Sequence, residues 1–96
     1  MLILVTYDIK TTSDEGNKRM RQVSKICENY GVRVQNSVFE CIVDNLQFEK
    51  LKINLDKVIN KKYDSIRYYN LGNSGRHKVL HVGAKTSIDV ENVLII

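Results

Sequence analysis

Residues 33–43 read RVQNSVFECIV, a run rich in β-branched and aromatic side chains that favours extended backbone. Asn36-Ser37 interrupts it and marks a bend, a bulge or a very tight turn between two strands. On its N-terminal side, Lys18 to Gly31 has a helical period, with Met20, Val23, Ile26, Cys27 and Tyr30 on one face and Lys18, Arg21 and Lys25 pointing away. Thr12-x-x-Glu15 matches a capping box for that helix, although Gly16 and Asn17 weaken its first turn, and Gly31 is a good stop. Before it, Leu2–Tyr7 (LILVTY) is a short apolar strand. On the C-terminal side, Asp44 and Gln47 offer a cap for a second amphipathic helix carrying Phe48, Leu51, Leu55, Val58 and Ile59. Ser65–Leu71 is a further strand, residues 72–75 (GNSG) a turn, and Lys78–Gly83 its hairpin partner. A connector leads to Val93–Ile96, an apolar terminal segment with β-propensity.

This order predicts an α+β sandwich with two helices on one face of a mainly antiparallel sheet. If Asn36-Ser37 separates two strands, the arrangement is βαββαβ, ferredoxin-like, with an additional C-terminal strand. Two helices cover only one face, yet the first strand is apolar on both parities: Leu2 and Leu4 on one, Ile3 and Val5 on the other. Val38 and Ile42 likewise stand opposite Phe39, Cys41 and Val43. A second copy of the chain is the economical cover for the other face, which predicts a homodimer. The segment 84–96 is expected to be an extension that pairs with the partner subunit's sheet, since a free apolar edge invites aggregation.

Ninety-six residues make one domain, 1–96, with a modest core. No stretch of eighteen apolar residues is present, so no membrane span is expected. The N-terminus lacks a basic n-region and a signal peptide is not expected either. Cys27 and Cys41 have no CxxC spacing and read as reduced core residues of a cytoplasmic protein. With only His77 and His81 to assist them, a zinc cluster is all but excluded. The net charge of +4 is uneven: residues 61–85 hold six basic side chains (Lys61, Lys62, Arg67, Arg76, Lys78, Lys85) against one acid, Asp64. That excess is either a solvated basic surface or a footprint for phosphates.

The candidate chemistry centres on Asp8, which ends the first strand in phase with Leu4 and Thr6. On the inner side of a core strand a carboxylate needs a partner or a metal; the alternative is a turn-forming or capping Asp just past a strand end. If Asp8 faces a two-fold axis, two carboxylates converge and repel unless a cation sits between them. Hard oxygen ligands favour magnesium, manganese or calcium, and magnesium so held could activate water and polarise a phosphoryl oxygen. Tyr7 has the opposite parity, where core packing competes with any chemical role. Arg19, Arg21 and Arg33 could bind phosphate or be ordinary surface arginines. Ser37 has no triad partners, and there is no Walker or GxGxxG motif.

Taken together, LILVTYDI, KRMRQVSKICENYG, RVQNSVFECIV, IRYYNLG and HVGAKTSIDVENVLII resemble, in order and spacing, the CRISPR-associated Cas2 family. The resemblance runs nearly end to end. It implies a ferredoxin-like homodimer whose C-terminal strands join the partner's sheet. It also implies a magnesium-dependent endonuclease (manganese as a substitute) that cuts single-stranded RNA or double-stranded DNA, and a place beside the Cas1 integrase in CRISPR adaptation, where spacers are acquired. The family's acid falls on Asp8, as catalytic residue and metal ligand, and its adjoining aromatic on Tyr7. Family arginines correspond to Arg19 or Arg21 and to Arg33, and the aromatic of the S-V-F stretch is Phe39. With Arg76 and Lys78 from the basic window, these form the expected nucleic-acid surface. A non-catalytic adaptor that bridges integrase subunits on duplex DNA is the alternative role. A ferredoxin-like RNA- or metabolite-binding module is a distant third, since no RNP-like aromatic pair is evident.

Overall fold

In a computed structural model, residues 1–72 and 78–84 are described. The elements run β1 (Leu2–Asp8), α1 (Asp14–Glu28), β2 (Gly31–Gln35), β3 (Val38–Ile42), α2 (Asn45–Val58), β4 (Ser65–Asn70) and β5 (Lys78–Gly83). All neighbouring strands are antiparallel, in the order β2-β3-β1-β4-β5. The first four form the ferredoxin-like sheet, and β5 extends it as the hairpin partner of β4. The terminal segment 93–96 lies outside the described residues, as does the pairing expected of it.

The centre of the chain resolves into two strands and a two-residue turn. Asn36 and Ser37 separate β2 from β3, and the register shifts between Arg33 and Gln35, so turn and bulge are both present. Helix α2 begins as its sequence predicts. The Asp44 carboxylate accepts from the Gln47 N–H at 2.7 Å, and the Gln47 side chain accepts from the Asp44 N–H at 2.9 Å. Helix α1 starts one residue later than the Thr12–Glu15 match predicts. Ser13 is its N-cap, with Oγ accepting from the Gly16 N–H at 3.1 Å. Gly16 is there for space: a Cβ would collide with the Lys10 carbonyl.

One core lies between the helices and one face of the sheet. Ile3, Val5 and Tyr7 of β1 and Phe39 and Cys41 of β3 pack against Val23 and Cys27 of α1 and Leu51 and Leu55 of α2. Cys27 and Cys41 are free and buried, and burial pushes their thiols up to about 12 and about 11. No helix among the described residues is long and apolar enough to cross a membrane. The other face carries Leu2, Leu4, Thr6, Val38 and Ile42. The first four are half-buried within the single chain, whereas Ile42 is 82% exposed.

Candidate metal and nucleic-acid site

Strand alternation carries Asp8 to the face that the helices do not cover. Burial in β1 alternates, with Ile3, Val5 and Tyr7 inward and Asp8 exposed at the end of the opposite parity. Asp8 is thus in phase with Leu4 and Thr6, but that phase faces outward, which corrects the inner-side placement expected from the apolar run. Register then fixes its neighbours. Asp8 stands opposite Ser65 and Thr6 opposite Arg67, and all four side chains share one face. With Tyr7 they line a shallow cavity of about 210 Å³. Ser65 carries no signal in the sequence, and Arg67, counted there only among the basic side chains of residues 61–85, is not tied to Asp8 by any local pattern. The strand SIRYYN gives their common parity, but only the pairing with β1 brings them to Asp8.

Other candidates divide by location. Tyr7 is 5% exposed; its hydroxyl bonds Ser24 Oγ at 2.7 Å and donates to the Asn36 carbonyl at 3.3 Å. Its ring stacks on Phe39, with centroids 6.2 Å apart, and burial raises its pKa above the usual tyrosine value. Tyr7 is therefore a core residue whose hydroxyl ties α1 to the β2–β3 turn. Arg19 is likewise committed. Its Nε donates to Asp64 Oδ2 at 2.7 Å and its Nη2 to Oδ1 at 3.3 Å, so its fork is engaged by a carboxylate and not presented to phosphate. This hydrogen-bonded pairing raises the Arg19 pKa further.

Arg21 is exposed on α1, in the helical layer on the far side of the sheet from Asp8. Arg33 pairs with Phe39 in register, lies 5.2 Å over its ring and reaches Glu28 at 3.7 Å, so it too belongs to the helix side. The described residues therefore do not gather Arg19, Arg21 and Arg33 around Asp8. Arg76 lies outside the described residues, and Lys78 enters only as the first residue of β5.

The donors near Asp8 are a carboxylate and hydroxyls, a hard set suited to a hydrated magnesium or manganese ion and not to zinc. Among the described residues no group of three or more His, Cys, Asp or Glu could hold a metal. Among the described residues Asp8 is the single acid that lines this cavity.

An antiparallel ferredoxin-like sheet, with helices on one side and a strand-end carboxylate beside a basic side chain on the other, defines a small α+β domain with a polar, charged end to its open sheet face. A family model for CRISPR associated protein Cas2 matches residues 1–79. The chain is 57% identical over 95 residues to the CRISPR-associated endonuclease Cas2 of Halalkalibacterium halodurans, covering 99% of each chain. It is 48% identical over 96 residues to the CRISPR-associated endoribonuclease Cas2 of Chlorobaculum tepidum, covering all of both. Among solved structures, Streptococcus pyogenes Cas2 superimposes with a TM-score of 0.71 at 51% identity, over 77% of this chain and 89% of that one. A hypothetical protein from Thermus thermophilus gives 0.64 at 33% identity, over 88% and 94%. The chain belongs to the Cas2 family.

Proposed function

We propose that this protein is a homodimeric, magnesium-dependent endonuclease that hydrolyses phosphodiester bonds in RNA or double-stranded DNA and works in CRISPR adaptation with the Cas1 integrase. The observation that carries this reading is Asp8: an exposed strand-end carboxylate on the uncovered sheet face, in one cavity with Thr6, Ser65 and Arg67. The names of the relatives, endonuclease and endoribonuclease, support the reaction class. The apolar positions beside Asp8 on the same face, Leu2, Leu4, Val38 and Ile42, support a second copy as its cover. A two-fold axis through that face would bring a second Asp8 to the seam beside the first.

Asp8 from each protomer would hold magnesium, with manganese as a substitute. When bound, the ion supplies Lewis-acid polarisation of a phosphoryl oxygen. The chain's own groups do the rest. The Asp8 carboxylates orient what lies between them, and the Arg67 guanidinium, on the same face, offers paired N–H donors to phosphate oxygens. The hydroxyls of Thr6 and Ser65 add neutral donors at the cavity wall. Two free thiols fit a reducing, cytoplasmic setting.

Asp8→Asn tests the reading. The variant should remain a folded dimer by sedimentation and lose magnesium-dependent cleavage by at least about a hundredfold, since even residues that merely support a ligand cost 10–100-fold. Full cutting by the variant removes the idea. The charge distribution favours a second role, that of an adaptor holding duplex DNA. Within residues 61–85 six basic side chains stand against a single acid, Asp64, which is buried and paired with Arg19. Duplex binding should then fall steeply with salt, survive Asp8→Asn and weaken when Arg76 and Lys78 both become Ala.

A further inference from the structure

Asp64 has no solvent exposure, and a buried carboxylate persists only where its charge is matched and its lone pairs are filled. Four donors meet it. Arg19 Nε reaches Oδ2 at 2.7 Å and Arg19 Nη2 reaches Oδ1 at 3.3 Å. The Lys10 N–H donates to Oδ1 at 3.1 Å and the Asn60 N–H to Oδ2 at 2.9 Å. The backbone of Asp64 is held as well: its N–H donates to the Asn60 carbonyl at 2.8 Å, and its own carbonyl accepts from the Ala84 N–H at 3.0 Å. The carboxylate therefore joins the loop after β1, the body of α1 and the segment that follows α2, and the backbone of the same residue ties in the end of β5.

One of these joints and the residue that follows Asp64 in the chain bracket Asp8. Lys10, held by Oδ1, is two residues beyond it in the chain. Ser65, the residue after Asp64, stands opposite it in register. Two further contacts fix the same loop. The Lys10 ammonium lies 4.7 Å over the Tyr63 ring, and the Lys10 carbonyl fits against Gly16, where any Cβ would displace it. An ion pair kept only for stability can be exchanged for packed apolar groups at little cost. Aiming two backbone amides from separate segments at one anion is a different task, and apolar groups cannot do it.

We propose that Asp64 is a positioning residue for Asp8, a buried anion that fixes both the loop leaving β1 and the strand opposite so that the Asp8 carboxylate is held in one orientation toward its cation. The proposal rests on the reading of Asp8 as a metal ligand and extends it to a residue with no access to substrate.

Titration of the full-length protein with Mn²⁺, followed by electron paramagnetic resonance, tests it in Asp64→Asn, which keeps the shape and loses the charge. Manganese affinity should fall 10–100-fold, and the Lys10 amide should exchange faster. The sedimentation of the protein and the KM for nucleic acid should stay put while kcat drops. A lowered melting temperature with unchanged manganese affinity and kcat overturns the proposal, because it leaves Asp64 a structural staple. Should Asp64→Asn fail to fold, Arg19→Lys serves in its place: it keeps the charge, loses the fork, and should weaken manganese binding about tenfold, no change again overturning the proposal. Asp8→Asn separates the two levels. If it binds manganese as tightly as the unaltered protein, the metal reading falls and takes this one with it. If it loses manganese while Asp64→Asn keeps it, only the positioning role falls.

Discussion

Strand β1 presents its residues to two different environments. Toward the helices, Ile3 and Val5 are fully buried, and Tyr7 sits against Phe39 with its hydroxyl bonded. On the opposite face Leu2, Leu4 and Thr6 are half-covered, Ile42 beside them on β3 is 82% exposed, and the row ends in Asp8. The closed face is finished by the chain itself. The open face mixes apolar side chains that the chain leaves partly uncovered with Glu40 and Arg67, and ends in the exposed Asp8. The contrast teaches that apolar residues on both parities of a strand report two covers, and that one of them need not belong to the same chain.

The sharpest way to test the contrast is to damage each face separately. Phe39→Ala empties the centre of the closed face, where Phe39 has no exposure and touches both Tyr7 and Arg33. It should cost about 3–5 kcal/mol of folding stability, read as a lower midpoint in urea. Ile42→Glu puts a charge on the open face. The fold of the protomer should change by no more than about 0.5 kcal/mol, as for a surface position. Self-association, measured by sedimentation at a series of concentrations, should weaken at least about tenfold, or about 1.4 kcal/mol. If Ile42→Glu associates like the unaltered protein, the open face is not where two copies meet.

What the sequence made readable follows from how local each signal is. The Asp44–Gln47 cap, the Asn36-Ser37 turn and the apolar stripes of both helices involve residues a few positions apart, and each stands where its pattern puts it. The start of α1 was displaced by one residue because adjacent hydroxyls, Thr12 and Ser13, both satisfy a cap. Ser13 takes the role, its Oγ accepting from the Gly16 N–H. The parity of Asp8 relative to Leu4 and Thr6 was legible, but which parity faces inward was not, since both are apolar. The Arg19–Asp64 pair spans 45 positions and leaves no local trace, so an arginine that looks free to meet phosphate is engaged inside the fold.

Tyr7→Phe sharpens the same comparison at finer scale, since it touches only the closed face. Losing the hydroxyl leaves Ser24 Oγ and the Asn36 carbonyl without their partner and should cost about 1 kcal/mol in folding, with nucleic-acid affinity unchanged. A loss of affinity with no loss of stability would return Tyr7 to the binding surface.

The smallest effect expected is on acid stability, and its sign follows from Asp64. Burial opposes the charge of this carboxylate, but the Arg19 guanidinium and the N–H groups of Asn60 and Lys10 outweigh it and hold its pKa below the ordinary 3.8. The folded state therefore binds its proton less readily than the unfolded chain does. The stability this contributes is fully present above the ordinary value and is lost as the pH falls through the lower folded one. Unfolding midpoints in urea should accordingly decline on acidification in the unaltered protein, with one component of the decline absent from Asp64→Asn. Near neutral pH the variant should be the less stable of the two, and below the folded pKa the gap between them should narrow. A gap that stays constant from neutral pH into acid would mean that the Asp64 charge does not support the clamp, and that its hydrogen-bonding shape alone holds the closed side of the molecule together.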